Sequence, residues 1–141
     1  MKKKYVFGIL AIISILINSS FALGITLTDA QLEIGDVEGG ILSVIVNVKN
    51  IGNVPAEEVA ITTVVTGGII NRINLIHECT GCDICGTTLD PGLTKTENTK
   101  EAGILIGFGN INIKVTALAK NAEEVSKDVT GIILGPLVII K

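Results

Sequence analysis

An alternation of apolar and polar side chains decides the fold, and it is clearest in the run Leu42-Ser43-Val44-Ile45-Val46-Asn47-Val48-Lys49. From Leu42 to Val48 every second residue is apolar. The run Ile111-Asn112-Ile113-Lys114-Val115-Thr116-Ala117-Leu118-Ala119-Lys120 repeats the pattern. A period of two places alternate side chains on one face of a strand. Each run therefore predicts a β-strand with one buried face.

Further strands are predicted on both sides of these two runs. Apolar, β-branched stretches lie at Ile25–Ile34, Val59–Thr66, Ile69–Ile76, Ile104–Phe108 and Val125–Ile140. Residues typical of turns separate them, as in Asn50-Ile51-Gly52-Asn53 and Gly107-Phe108-Gly109-Asn110. No helical periodicity long enough to connect parallel strands follows Ala22. We therefore expect an all-β chain of about seven strands, folded as a single antiparallel β-sandwich.

The first 22 residues have the three parts of a secretory signal peptide. Basic Lys2-Lys3-Lys4 precedes the apolar run Tyr5–Ile17, and small residues stand near Ala22. We expect a signal helix over 1–22, cleavage between Ala22 and Leu23, and one domain over 23–141. The mature protein would be secreted or held at the cell surface, touching the membrane only transiently. Retention of the segment as an anchor is the alternative, although Tyr5–Ile17 is shorter than the ~20 residues that span a bilayer.

The C-terminal run Gly131–Lys141 is predicted to be a sheet strand. Its residues are mostly β-branched, and Pro136 would lie at a bulge or on an edge, where no ladder hydrogen bond is lost. An edge strand can pair with another chain. This segment is therefore the predicted site of strand-to-strand association between copies.

Charge argues against nucleic acid as a partner. Without Lys2, Lys3 and Lys4, the 11 basic residues fall to 8 against 14 acidic ones, a formal charge of −6. The remaining basic residues are scattered singly, whereas polyanion binding needs a clustered basic face. The expected partner is a protein or a surface glycan.

A family resemblance covers most of the mature chain. Asn47-Val48-Lys49-Asn50-Ile51-Gly52-Asn53, followed by Ala56 and Val59, resembles the strand-turn-strand signature of CARDB-like and related immunoglobulin-like domains. Leu89-Asp90-Pro91-Gly92 resembles the turn that such domains place before a later strand. Gly107–Ala117 and the ending Gly131–Pro136 look similar to exported archaeal proteins. The resemblance implies an immunoglobulin-like β-sandwich that serves as an adhesion, spacer or carbohydrate-proximal module.

The segment His77-Glu78-Cys79-Thr80-Gly81-Cys82-Asp83-Ile84-Cys85 carries the chain's only three cysteines and its only histidine. We expect it to form a loop after the strand Ile69–Ile76. An iron–sulfur cluster is disfavoured because Leu89 stands where a fourth cysteine would be needed. A zinc site of His77, Cys79, Cys82 and Cys85 has suitable ligand types, but one loop would have to supply all four.

Oxidation is the favoured fate of these thiols, because an exported chain meets an oxidising environment. Any two of Cys79, Cys82 and Cys85 could pair, and the third thiol could link two copies. Such a short disulfide would contribute only about 2 kcal/mol. We therefore predict three cysteines on one exposed loop, dispensable for folding.

The sequence predicts no enzyme and no bound cofactor. The G-x-S-x-G elbow of serine hydrolases does not occur, and His77 is too close in sequence to Cys79 for a typical cysteine nucleophile and base. Two functional hypotheses remain. The first is an exported structural or adhesion-type binding module, for which an edge strand or a cysteine offers a route to homo-oligomers. The second is a small metal- or redox-linked protein using Cys79, Cys82 and Cys85.

Overall fold

The computed structural model describes residues 29–79 and 88–141 of the 141-residue chain. The predicted signal peptide, its cleavage point and the start of the first predicted strand lie outside these residues. The described part contains eight strands: β1 Leu32–Gly39, β2 Val44–Asn50, β3 Ala60–Gly67, β4 Ile73–Cys79, β5 Thr94–Asn98, β6 Gly107–Ala119, β7 Ala122–Gly135 and β8 Leu137–Ile140. Two 3-10 turns, Ile69–Asn71 and Thr99–Glu101, precede β4 and follow β5.

The strands form two antiparallel sheets. One has the order β1-β2-β5, and the other has the order β4-β3-β6-β7-β8. The prediction of an all-β chain is confirmed, and the described residues include no helix of the length and apolar character that crossing a membrane requires. Strands β4 and β5 each lie at the edge of a different sheet.

A single apolar core joins the two sheets. Val44, Val46 and Val48 of β2 are fully buried, as are Ile111 and Ile113 of β6, and all belong to one packed cluster. Full burial of one such side chain contributes about 1.5–3 kcal/mol. The alternation in the runs Leu42–Lys49 and Ile111–Lys120 therefore marks the two inner faces of a sandwich-like fold.

Two predicted strand boundaries are wrong. Gly107–Asn110 is the start of β6 rather than a turn, because these residues pair with Ile132–Gly135 of β7. Gly109 has a φ of 112° and a Cβ there would lie 3.1 Å from the amide nitrogen of Ile69, so the position suits glycine alone. The residues 69–71 form a 3-10 turn, which delays β4 to Ile73.

The predicted C-terminal strand is two strands. The pair Leu134 and Leu137 leaves Gly135 and Pro136 as a tight connection between β7 and β8. Gly135 has a φ of 63°, which glycine adopts readily. Pro136 thus lies in the turn before the edge strand β8, and not at a bulge within a strand.

Buried Asn50 organises the end of β2. Its side-chain nitrogen donates to the carbonyl oxygens of Val54 and Leu89, each at 2.8 Å, and its side-chain oxygen accepts from the amide of Gly52 at 3.0 Å. A side chain at Gly52 would place its Cβ 2.6 Å from the amide nitrogen of Gln31. The Asn-x-Gly sequence is therefore a structural brace that holds three segments together.

Candidate functional site

The two edge strands β4 and β5 bring a histidine and a glutamate together between the sheets. His77 and Glu97 are each only 6% exposed, and Nε2 of His77 lies 3.7 Å from Oε2 of Glu97. The alternation of β4 turns Ile73, Leu75 and His77 to the same face. An ionisable pair thus occupies positions that apolar side chains fill elsewhere in this core.

The other carboxylate oxygen of Glu97 has different neighbours. Oε1 lies 3.5 Å from Nζ of Lys95 and 3.4 Å from Sγ of Cys79. Lys95 is two residues before Glu97, so both side chains lie on the inward face of β5. The lysine and the sulfur therefore contact one side of the carboxylate, and His77 faces the other.

Glu101 completes the cluster from the solvent side. It ends the 3-10 turn Thr99–Glu101 that follows β5, and it is exposed. The donor atoms of His77, Glu97 and Glu101 all lie within 4.8 Å of one another. One imidazole and two carboxylates thus converge at the open edge between the sheets.

Two buried polar atoms in this region have no hydrogen-bond partner. One is Nε2 of His77, and the other is the hydroxyl oxygen of Thr63, which stands directly opposite His77 in the ladder between β3 and β4. Leaving a buried polar group unpaired costs about 1–3 kcal/mol. The separation of 3.7 Å between His77 and Glu97 is too long for a hydrogen bond.

The sequence-predicted site residues are only partly described. His77 and Cys79 belong to β4 rather than to a loop, and Cys79 is buried, so the prediction of an exposed loop is wrong for both residues. Cys82, Cys85 and the cleavage point between Ala22 and Leu23 lie outside the described residues. The disulfide and the four-ligand zinc site therefore stay predictions.

Sequence reasoning missed Glu97, Glu101 and the strand that carries Glu97. The inward residues of β5 are Lys95 and Glu97, so its alternation has no apolar face to reveal it. The sequence did contain one indication of β5, because Thr94 and Thr96 alternate with other residues and threonine is favoured in strands.

A second unusual region lies at one end of the five-stranded sheet. Phe108 is the only aromatic residue after residue 22, yet it is 58% exposed instead of buried in the core. It is paired with Leu134 across β6 and β7, and Leu134 is paired with Leu137 of β8. The Phe108 surface comprises six exposed apolar residues: Ile70, Ile106, Phe108, Leu134, Leu137 and Ile139.

A shallow groove of about 420 Å³ adjoins Phe108, and Ile70 and Ile106 line it. Ile70 is 83% exposed and has a φ of 61°. A left-handed conformation is unfavourable for a β-branched residue. The backbone therefore holds an apolar side chain in water in a strained conformation, which is typical of functional surfaces.

The edge of β8 is already partly bonded. The amide of Val138 donates to the carbonyl oxygen of Gly40 at 3.0 Å, and the amide of Leu42 donates to that of Pro136 at 2.6 Å. The loop between β1 and β2 thus covers the beginning of β8. This leaves less of the edge for pairing with a second copy than the sequence predicts.

Comparison with known proteins gives no family. The chain matches no family model, and no curated protein is significantly similar to it in sequence.

Proposed function

We propose that the protein is an exported immunoglobulin-like β-sandwich module without catalytic activity, which acts by binding through its Phe108 surface. Export is supported by the order of basic, apolar and small residues over 1–22. The immunoglobulin-like assignment is supported by the two antiparallel sheets together with the sequence motifs around Asn50. The observation that carries the binding role is the exposure of Phe108.

Burial of Phe108 in an interface explains why it is not in the core. Aromatic residues supply much of the energy of protein interfaces, and they cluster near the interface centre. In this chain the sole aromatic residue of the mature part is surrounded by exposed leucine and isoleucine side chains. An apolar patch of this kind marks a site of interaction.

The occupant that fits this surface is a second copy of the chain. On the outer face of β6 and β7, the first charged residues are Lys114 and Asp128, which pair with each other well away from Phe108. The two cross-strand residue pairs nearest Phe108 on β6 and β7 are uncharged. These strands therefore offer no charge there that would attract an ionic partner. Arg72 also lines the groove beside Phe108, but the apolar side chains around Phe108 are complementary to the same side chains of a second copy, as a two-fold symmetric interface requires.

Sedimentation equilibrium of the mature protein tests this function. We expect a reversible dimer, and we expect Phe108→Thr combined with Leu134→Thr to be monomeric with an unchanged circular dichroism spectrum. Threonine keeps the strand preference while removing apolar area. Ile51→Thr is the matched control, because Ile51 is an exposed isoleucine in the loop after β2, at the opposite end of the sheets. A monomeric parent protein, or an unchanged dimer in the double variant, would refute binding through the Phe108 surface.

A further inference from the structure

We propose that His77, Glu97 and Glu101 form a binding site for a zinc ion at the open edge between the two sheets. The site differs from the cysteine cluster, because its ligands come from β4, β5 and the 3-10 turn after β5. It is also independent of the Phe108 surface.

The unpartnered nitrogen of His77 is the observation that points to a ligand. Nε2 is buried and has no hydrogen-bond partner, while the residue as a whole is more than nine-tenths buried. It faces Oε2 of Glu97 at 3.7 Å. An imidazole nitrogen next to a carboxylate oxygen provides two of the four ligands that a tetrahedral zinc site needs.

The distances are close to those that zinc needs. Zinc binds histidine nitrogen and carboxylate oxygen at about 2.0–2.2 Å, so two ligands of a tetrahedral site stand about 3.4 Å apart. The separation of 3.7 Å between His77 and Glu97 is already near this value. Glu101 lies within 4.8 Å of the other two and is exposed, so its side chain can move inward when the ion binds.

The donor set selects the kind of metal. One imidazole nitrogen and two carboxylate oxygens suit zinc, whereas calcium and magnesium prefer shells made of oxygen alone. Three protein ligands leave a fourth position for water. The site therefore has an open coordination position, as catalytic zinc sites do. Its position at the edge of both sheets nevertheless suits a structural role, in which the ion links the sheets.

Lys95 supports the site from the other side of Glu97. Its ammonium nitrogen lies 3.5 Å from Oε1, which leaves Oε2 directed toward His77. Carboxylate ligands in metal sites are usually held in this way by neighbouring groups. The ammonium group also offsets part of the negative charge of the two glutamates, so we expect moderate rather than extreme affinity.

Zinc at this position would join the two sheets. His77 belongs to the edge strand of the five-stranded sheet, and Glu97 to the edge strand of the other. A ligand that binds only the folded state raises its stability by mass action. Zinc should therefore increase the midpoint of thermal unfolding.

The test is a calorimetric titration of the mature protein with zinc chloride, together with thermal unfolding. We expect one zinc ion per chain, a higher unfolding midpoint with zinc, and no response to calcium or magnesium. Glu101→Gln should weaken zinc binding at least about tenfold. Because Glu101 is exposed, this variant should fold normally even if His77→Gln does not.

Glu78→Gln is the matched control. Glu78 lies next to His77 on β4, but its side chain is exposed on the opposite face of the strand. We expect this variant to bind zinc as the parent protein does. If Glu101→Gln binds zinc with parental affinity, or the parent protein binds none, His77, Glu97 and Glu101 are not a zinc site.

Discussion

Two buried polar regions of this protein differ in how completely they are satisfied. Asn50 makes three hydrogen bonds inside the fold, whereas Nε2 of His77 and the hydroxyl of Thr63 make none. Both regions lie in or beside the same core. The difference is that the side chain of Asn50 has its hydrogen bonds within the fold, whereas one polar atom each of His77 and Thr63 does not.

The largest effect should follow the loss of the Asn50 side chain. Asn50→Ala removes the side-chain hydrogen bonds to the carbonyls of Val54 and Leu89 and to the amide of Gly52, and we expect the unfolding free energy to fall by about 3 kcal/mol or more. Urea denaturation measures this loss. Asn47→Ala is the control, since the half-buried side chain of Asn47 accepts one hydrogen bond, from the hydroxyl of Thr96, and its loss should cost less than about 1 kcal/mol. Equal losses in the two variants would contradict the role of Asn50 as a brace.

A smaller and more diagnostic effect comes from two buried threonines. The hydroxyl of Thr99 accepts a hydrogen bond from the amide of Val44 at 2.9 Å, whereas that of Thr63 has no partner. Thr99→Val should cost about 1–3 kcal/mol, because it leaves a buried amide unpaired. Thr63→Val should be neutral or slightly stabilising. Urea denaturation of both variants measures the two changes in unfolding free energy. A decrease for Thr63→Val as large as that for Thr99→Val would show that the hydroxyl of Thr63 has a hydrogen-bond partner in solution.

The sequence predicts the core strands well because their physical signal is local. Val44 to Val48 and Ile111 to Ala119 alternate, and burial of one face requires that alternation. Phe108 and its glycine neighbours suggest a turn locally, but pairing with β7 overrides that preference. Residue type alone therefore misplaces the start of β6.

The candidate site was only half visible in the sequence. His77 and Cys79 stand out by residue type, but Glu97 lies 20 residues after His77 and on a different sheet. Only the packing of β4 against β5 brings their side chains together. Because a glutamate faces inward on β5, this strand lacks the alternating apolar pattern from which it could have been predicted. The residue that forms the site is thus also the reason why its strand was missed.

The most direct measurement of the central claim is X-ray absorption at the zinc edge of the zinc-loaded mature protein. If His77, Glu97 and Glu101 bind the ion, we expect a first coordination shell of nitrogen and oxygen at about 2.0–2.2 Å, with the outer-shell signal of one imidazole. A shell containing sulfur at about 2.3 Å would instead assign the ion to the cysteines. That result would contradict a site built from His77, Glu97 and Glu101.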